Sequence, residues 1–308
     1  MPRRNAHGKP PARSQCRTAS SPMGKTTIAW TERTWNPVRG STKISPGCAH
    51  CYAATFAARF RGVIGHPYEQ GFDLRLVPEK LNEPATWRKP CRVFVNSMSD
   101  LFQEGVPTEF IEKICSTMAN VTAHTFQVLT KRPERMRDML KAWPWIATKP
   151  NIWWGVSVED RKHGLPRVDI LGKINVRNKF LSCEPLLESI CEPGHAERLH
   201  LWGIDWVIVG GESGPKARPC NVKWIREILE FCEQDSVPCF VKQLGSNPVE
   251  DLSTAIPEAD ITDQEAGLGA LTVQAPGKAL VKLARLCSIL SLLLIRGIYT
   301  LAHSFFDP

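Results

Sequence analysis

One arrangement repeats six times between residues 92 and 243: a short apolar run, a polar tip, then a connecting segment. The runs are RVFVNS (92–97), FQVLTK (126–131), IWWGVSVE (152–159), KFLSCE (179–184), DWVIVGGE (205–212) and CFVKQ (239–243). They are of strand length, rich in β-branched and aromatic residues, and almost continuously hydrophobic, as strands are when both faces of a parallel sheet are covered. Helical spacing follows at 107–119, 133–142 and 222–234, with Pro107 and Pro133 in the first turn, where proline is tolerated. An early strand at 26–34 and an alanine-rich helix after Cys51 bring the count to about seven units. The expected fold is α/β, a full or partial (β/α) barrel of parallel strands. A doubly wound sheet is the alternative, because strand order is not written in one sequence.

Both architectures gather ligands at the carboxyl ends of the strands, which makes the polar tips informative. They supply Asn96, Ser97 and Asp100, then Thr130, Lys131 and Arg132, then Ser157, Glu159 and Asp160. Ser182 and Glu184, Gly211, Glu212 and Ser213, and Lys242 and Gln243 complete the series. Solvent favours polar residues at any one strand end, but a functional rim is the better account of all six together.

Composition separates this body from the termini. The chain carries a formal charge of +8, of which residues 1–22 contribute +5 and residues 271–308 contribute +3. Residues 23–270 are therefore neutral, and net charge gives no general argument for nucleic-acid binding. Residues 1–22 read as a disordered basic extension, or as an organellar targeting sequence, with Met23 as a plausible working start. Residues 23–250 form the α/β domain, and residues 251–308 form a linker and an apolar tail whose longest stretch between arginines, 286–295, is half the roughly 20 residues of a spanning helix. That tail reads as a buried or interfacial helix, or as a segment foreign to the domain. No membrane association is expected. Eleven cysteines without a secretory signal predict a reducing, cytoplasmic setting.

Most of those cysteines lie singly among apolar neighbours and are expected to pack. Cys48 and Cys51 differ, forming a C-x-x-C at the start of the alanine-rich helix. A turn can bring two such thiolates onto one metal, so the pair reads as half a zinc site, a redox pair or two packed thiols. Ten tryptophans are present. Those inside strand runs, Trp153, Trp154 and Trp206, are expected in the core, whereas Trp30 and Trp35 flank the cysteine loop and are candidates to cover a ligand.

The segments WTERTWNPVRGSTKISPGCAHCYA (30–53), VFVNSMSDLF, LTKRP, WWGVSVED, SCEPLL and VIVGGESG together resemble a phage-associated family of uncharacterised proteins with a three-cysteine motif. The resemblance spans about residues 25–249 and implies a loop of pattern C-x6-C-x2-C, similar to that of radical S-adenosylmethionine enzymes. In such a loop three thiolates hold a 4Fe-4S cluster whose open iron binds S-adenosylmethionine, which is cleaved to a 5′-deoxyadenosyl radical. Cys48 and Cys51 match the second and third ligands, and Ser41 stands where the first cysteine belongs. A hard oxygen donor there weakens the cluster or shifts its potential.

The resemblance also implies cofactor contacts. Gly210, Gly211 and Glu212 resemble the Gly-Gly-Glu that meets the methionyl amine, although on a later strand, and Ser182 and Glu184 are placed near a ribose or substrate. The expected activity is radical modification of a nucleic acid or a protein in a phage or mobile-element setting, supplied by an electron donor. The contrasting expectation is a non-catalytic zinc-binding or nucleic-acid-binding α/β protein.

Overall fold

In this computed structural model, which describes Thr26 and residues 28–191 and 199–250, each of the six apolar runs is a strand. The expectations for residues 1–22 and 251–308 lie outside the described residues. Strand β1 is Arg33–Trp35, followed by β2 (Arg92–Val95), β3 (Thr125–Thr130), β4 (Ile152–Ser157), β5 (Asn178–Cys183), β6 (Trp206–Gly210) and β7 (Cys239–Gln243). They form one sheet in chain order, with every neighbouring pair parallel. A doubly wound sheet requires a point where strand order reverses, and this sheet has none. It curls into an open half-barrel, the partial form of the expected architecture.

Alternation along the strands sorts side chains onto two faces. Val93 and Val95, Phe126 and Val128, and Ile152 and Trp154 point outward into the larger core. There they meet α2 (Thr108–Asn120) through Ile111 and Ile114, α3 (Pro133–Ala142) through Met136, and α4 (Arg161–Gly172) through Val168. Helix α5 (Val222–Gln234) packs Ile225 and Ile228 into the same layer. Each such side chain, fully buried, contributes roughly 1.5–3 kcal/mol.

The concave face carries Trp30, Phe94, Trp153, Phe180, Trp206 and Ile208. Trp206 meets Trp30 with centroids 6.3 Å apart and Trp153 at 6.4 Å, both near edge-to-face. That geometry aligns ring edges with negative ring faces and adds about 0.5–1.5 kcal/mol per pair beyond burial. This aromatic layer leaves space at the strand tips above it.

Three differences from the sequence reading have physical causes. The first strand is Arg33–Trp35 rather than 26–34, because residues 29–30 turn and only then pair with β2, Trp35 opposite Val95. That register puts Trp35 on the outer face with Val95, fully buried, its indole Nε1 donating to Lys80 O at 2.7 Å. Trp35 is therefore a core residue and does not cover a ligand, whereas Trp30 does lie beneath the cavity. Helix α4 also lacks a clear sequence signal, since Gly164 and Pro166 interrupt its period, and it is started by Asp160, whose side chain accepts from His163 N at 2.6 Å.

Candidate functional site

Strand β1 leads through Val38 and Arg39, which pair with Leu76 and Arg75, into the cysteine loop, so the fold delivers both cysteines to the carboxyl edge of the sheet. A cavity of about 260 Å³ opens there, with Trp30, Phe94 and Leu129 as its apolar floor. Ser41, Cys48 and Cys51 line one side, and Asn96, Ser157, Ser182, Glu184, Glu212 and Lys242 contribute polar groups. The structure thus brings every cofactor or metal contact named from the sequence to one mouth, apart from Gly210, which supports it from the end of β6. Glu159 and Asp160 of the expected rim do not line the cavity.

Glu159 instead sits under the loop. Its carboxylate is fully buried and accepts from Ser45 Oγ, from Arg167 Nη1 at 2.6 Å and from Lys131 Nζ at 3.4 Å. Gly47 is required by this contact, because a Cβ there would stand 2.9 Å from Glu159 Oε1. Burial is the largest influence on Glu159 and opposes its charge. Lys131, Arg167 and the Ser45 hydroxyl together outweigh it and hold the carboxyl below its ordinary range.

Two further carboxylates fasten the same loop from other strand ends. Asp100, beyond β2, accepts from Thr130 Oγ1 at 2.7 Å and from Arg132 Nη1 at 3.0 Å. Arg132 then donates through Nη2 to Thr42 Oγ1 at 2.7 Å. Glu212, beyond β6, meets His50 Nδ1 at 2.9 Å and pairs with Arg218, whose Nη2 lies 2.6 Å from Oε1. Arg218 Nη1 also donates to Pro46 O at 3.0 Å. The loop that leaves β1 is therefore tied to the ends of β2, β4 and β6.

Burial pushes the Glu212 carboxyl up, but hydrogen bonds from Arg218 and His50 prevail and bring it down to about 2 from an ordinary 4.5. A carboxyl depressed by folding adds stability above its unfolded value and loses it as pH falls through the folded value. We therefore expect thermal stability to decline between pH 4.5 and about 2, and Glu212→Gln to flatten that part of the profile. An unchanged slope in the variant would show that the pair does not anchor the loop.

The ends of β5 and β7 are organised differently. Lys242 Nζ lies 2.9 Å from Glu184 Oε1, and Ser182 Oγ donates to Glu184 Oε2 at 3.3 Å. None of these three groups is committed to the loop. Gly211 is not free to present its amide, which donates to Gln243 O at 3.1 Å. The Glu212 carboxylate is likewise engaged by Arg218 and His50.

Cys48 and Cys51 are half-buried and unbridged, and the Ser41 hydroxyl beside the cavity is exposed, donating to Thr42 O at 3.4 Å. Among the described residues, no three His, Cys, Asp or Glu side chains are gathered as a metal-ligating set. The other cysteines behave as packing residues where they are buried: burial pushes the Cys115 thiol up to about 12 and the Cys220 thiol to about 11, which keeps both protonated. Ser45, Arg167 and Arg218 are site residues that the sequence reading missed. Arg218 and Pro46 are separated by 172 positions, so no local pattern connects them.

Residues 25–277 match the model of a family described as a protein of unknown function, DUF5131. No curated protein and no solved structure matches the chain. Among the described residues, no helix is long and apolar enough to cross a membrane.

Proposed function

The chain belongs to the DUF5131 family, and we infer that it is a radical S-adenosylmethionine-like iron-sulfur protein whose cluster site is weakened by Ser41. The observation that carries this reading is that Cys48 and Cys51 line the same strand-end cavity as Ser182, Glu184 and Lys242, three groups that bond to one another and not to the cysteine loop. Two thiols and a hydroxyl on one loop suit a 4Fe-4S cluster in their spacing along the chain, with one soft donor replaced by a hard one. When bound, the cluster supplies one electron to cleave S-adenosylmethionine.

The residues then divide the remaining work. Glu159, Glu212 and Arg132 fix the loop so that the thiols keep their place relative to the strand tips. Glu184, with Lys242 and Ser182 beside it, offers a carboxylate and an ammonium to the polar end of the bound molecule. Trp30 and Phe94 close the floor and exclude water from the reacting groups. Phage or mobile-element association, a cytoplasmic setting, an electron donor, and a nucleic acid or protein as substrate complete the proposal.

Anaerobic reconstitution tests it. Ser41→Cys should bind about four irons per chain with the charge-transfer absorption of a cluster, and the natural chain should bind fewer or lose them faster. Stoichiometric zinc in place of iron, or no metal in either protein, would replace this reading with a non-catalytic one.

A further inference from the structure

Helix α1 (Tyr52–Ala58) buries only one side. Ala53 and Ala57 face the core, while Tyr52, Phe56 and Arg59 occupy the opposite face at helical spacing and are exposed. Small residues inward and large aromatic ones outward invert the usual pattern of a surface helix, in which apolar bulk is buried. Tyr52 is 56% exposed and Phe56 41%, although each is held in place. Tyr52 OH donates to Ser97 O at 2.5 Å on the cavity rim, and Phe56 packs against Phe60 at 5.1 Å and Tyr68 at 5.5 Å. Beyond the helix, Ile64 is 91% exposed. The result is an aromatic lip beside the mouth.

Charge on this lip is mainly positive. Residues 39–75 contain five basic residues and two acidic ones, within a body of the chain that is neutral. Of the two acids, Asp73 is paired with Arg61 at 2.9 Å, and Glu69 accepts from Gly65 N at 3.0 Å. Lys43 and Arg59 remain exposed, with no carboxylate partner among the described residues. Of the acids that line the mouth, Asp100 and Glu212 are buried and bound to Arg132 and Arg218, and Glu184 is paired with Lys242 at 2.9 Å. An approaching polymer therefore meets ammonium and guanidinium groups beside open aromatic rings, and that pairing complements phosphates linked to unstacked bases.

We propose that the Tyr52–Phe56–Arg59 face of helix α1, together with Lys43, is the docking surface for a single-stranded nucleic acid whose target nucleotide enters the cavity. Phosphates lie along Lys43 and Arg59, and bases stack on Phe56 and Tyr52. This deepens the proposed function by fixing its substrate class, and rests on that reading only for what happens in the cavity.

The test is fluorescence anisotropy of the full chain with a labelled oligothymidylate or oligouridylate of ~12 nucleotides. Binding should weaken steeply with salt. Phe56→Ala should raise Kd by at least about fivefold at a temperature where circular dichroism shows the variant folded. Lys43→Gln with Arg59→Gln should reduce the slope of log K against log salt by about 1.4, and this pair keeps the test informative if Phe56→Ala folds poorly. No oligonucleotide binding by the natural chain, binding unaffected by both variants, or equal competition by an acidic peptide would overturn the proposal, the last in favour of a protein partner. Because the measurement needs no cluster, its failure is distinguishable from a failure to take up iron.

Discussion

Glu159→Gln is expected to lower stability by about 3–5 kcal/mol, the usual consequence of removing one member of a buried charge pair. Glutamine preserves the shape and can still accept from Ser45, but it leaves Arg167, whose side chain is only 7% exposed, without its counter-charge. Lys131 loses the same partner at 3.4 Å. Urea unfolding measures the loss, and Asp73→Asn provides the contrast: that carboxylate pairs with Arg61 on the open surface, where solvent screens the charges and removal costs little. Equal small effects at both positions would mean that the ion pair beneath the loop contributes no more than a surface contact. The loop would then be held by other groups.

Gly40→Ala is the second large effect. Gly40 opens the loop at φ +78°, a conformation that costs an L residue about 1–2 kcal/mol. A Cβ there would also lie 2.2 Å from Asp73 O and 2.5 Å from Phe72 O, both backbone atoms that cannot swing aside. The combined destabilisation should reach about 2–4 kcal/mol. Gly62 isolates the first contribution, since its φ is +79° but a Cβ there would meet nothing within 4 Å. Gly62→Ala should therefore cost about 1–2 kcal/mol, the backbone strain alone. If the two alanine variants unfold at the same urea concentration, close packing at Gly40 is not what sets the start of the loop.

The repeat was legible because it rests on local periodicity. Continuous apolar runs such as VIVG at the end of β6 require a covered parallel strand, and amphipathic segments such as α3 and α5 require a core-facing stripe. Helix α4 was hidden because Pro166 and Gly164 are poor helix formers, and its stability comes from the Asp160 cap and from packing of Val168 and Leu171. Trp35 was misplaced because a shift of a few residues in β1 decides which face a side chain takes. Chain-ordered sheet topology was not legible, since a sequence records the elements but not their neighbours. At the site, the polar tips and the cysteine pair were visible, while their connection was not. Ser45 and Glu159 are 114 positions apart, and His50 and Glu212 are 162 apart, so only folding shows that acids expected on the rim have turned beneath the loop to hold it.

The central claim is that the cysteine loop and the Ser182–Glu184–Lys242 group in the same cavity serve one bound molecule. Electron paramagnetic resonance of reconstituted, reduced Ser41→Cys protein addresses this most directly, recorded with and without S-adenosylmethionine. We expect a cluster signal whose shape changes when S-adenosylmethionine is added, with the change suppressed in Glu184→Ala, which alters that group and leaves the thiols intact. A cluster signal indifferent to S-adenosylmethionine, or no cluster signal at all, would contradict the account.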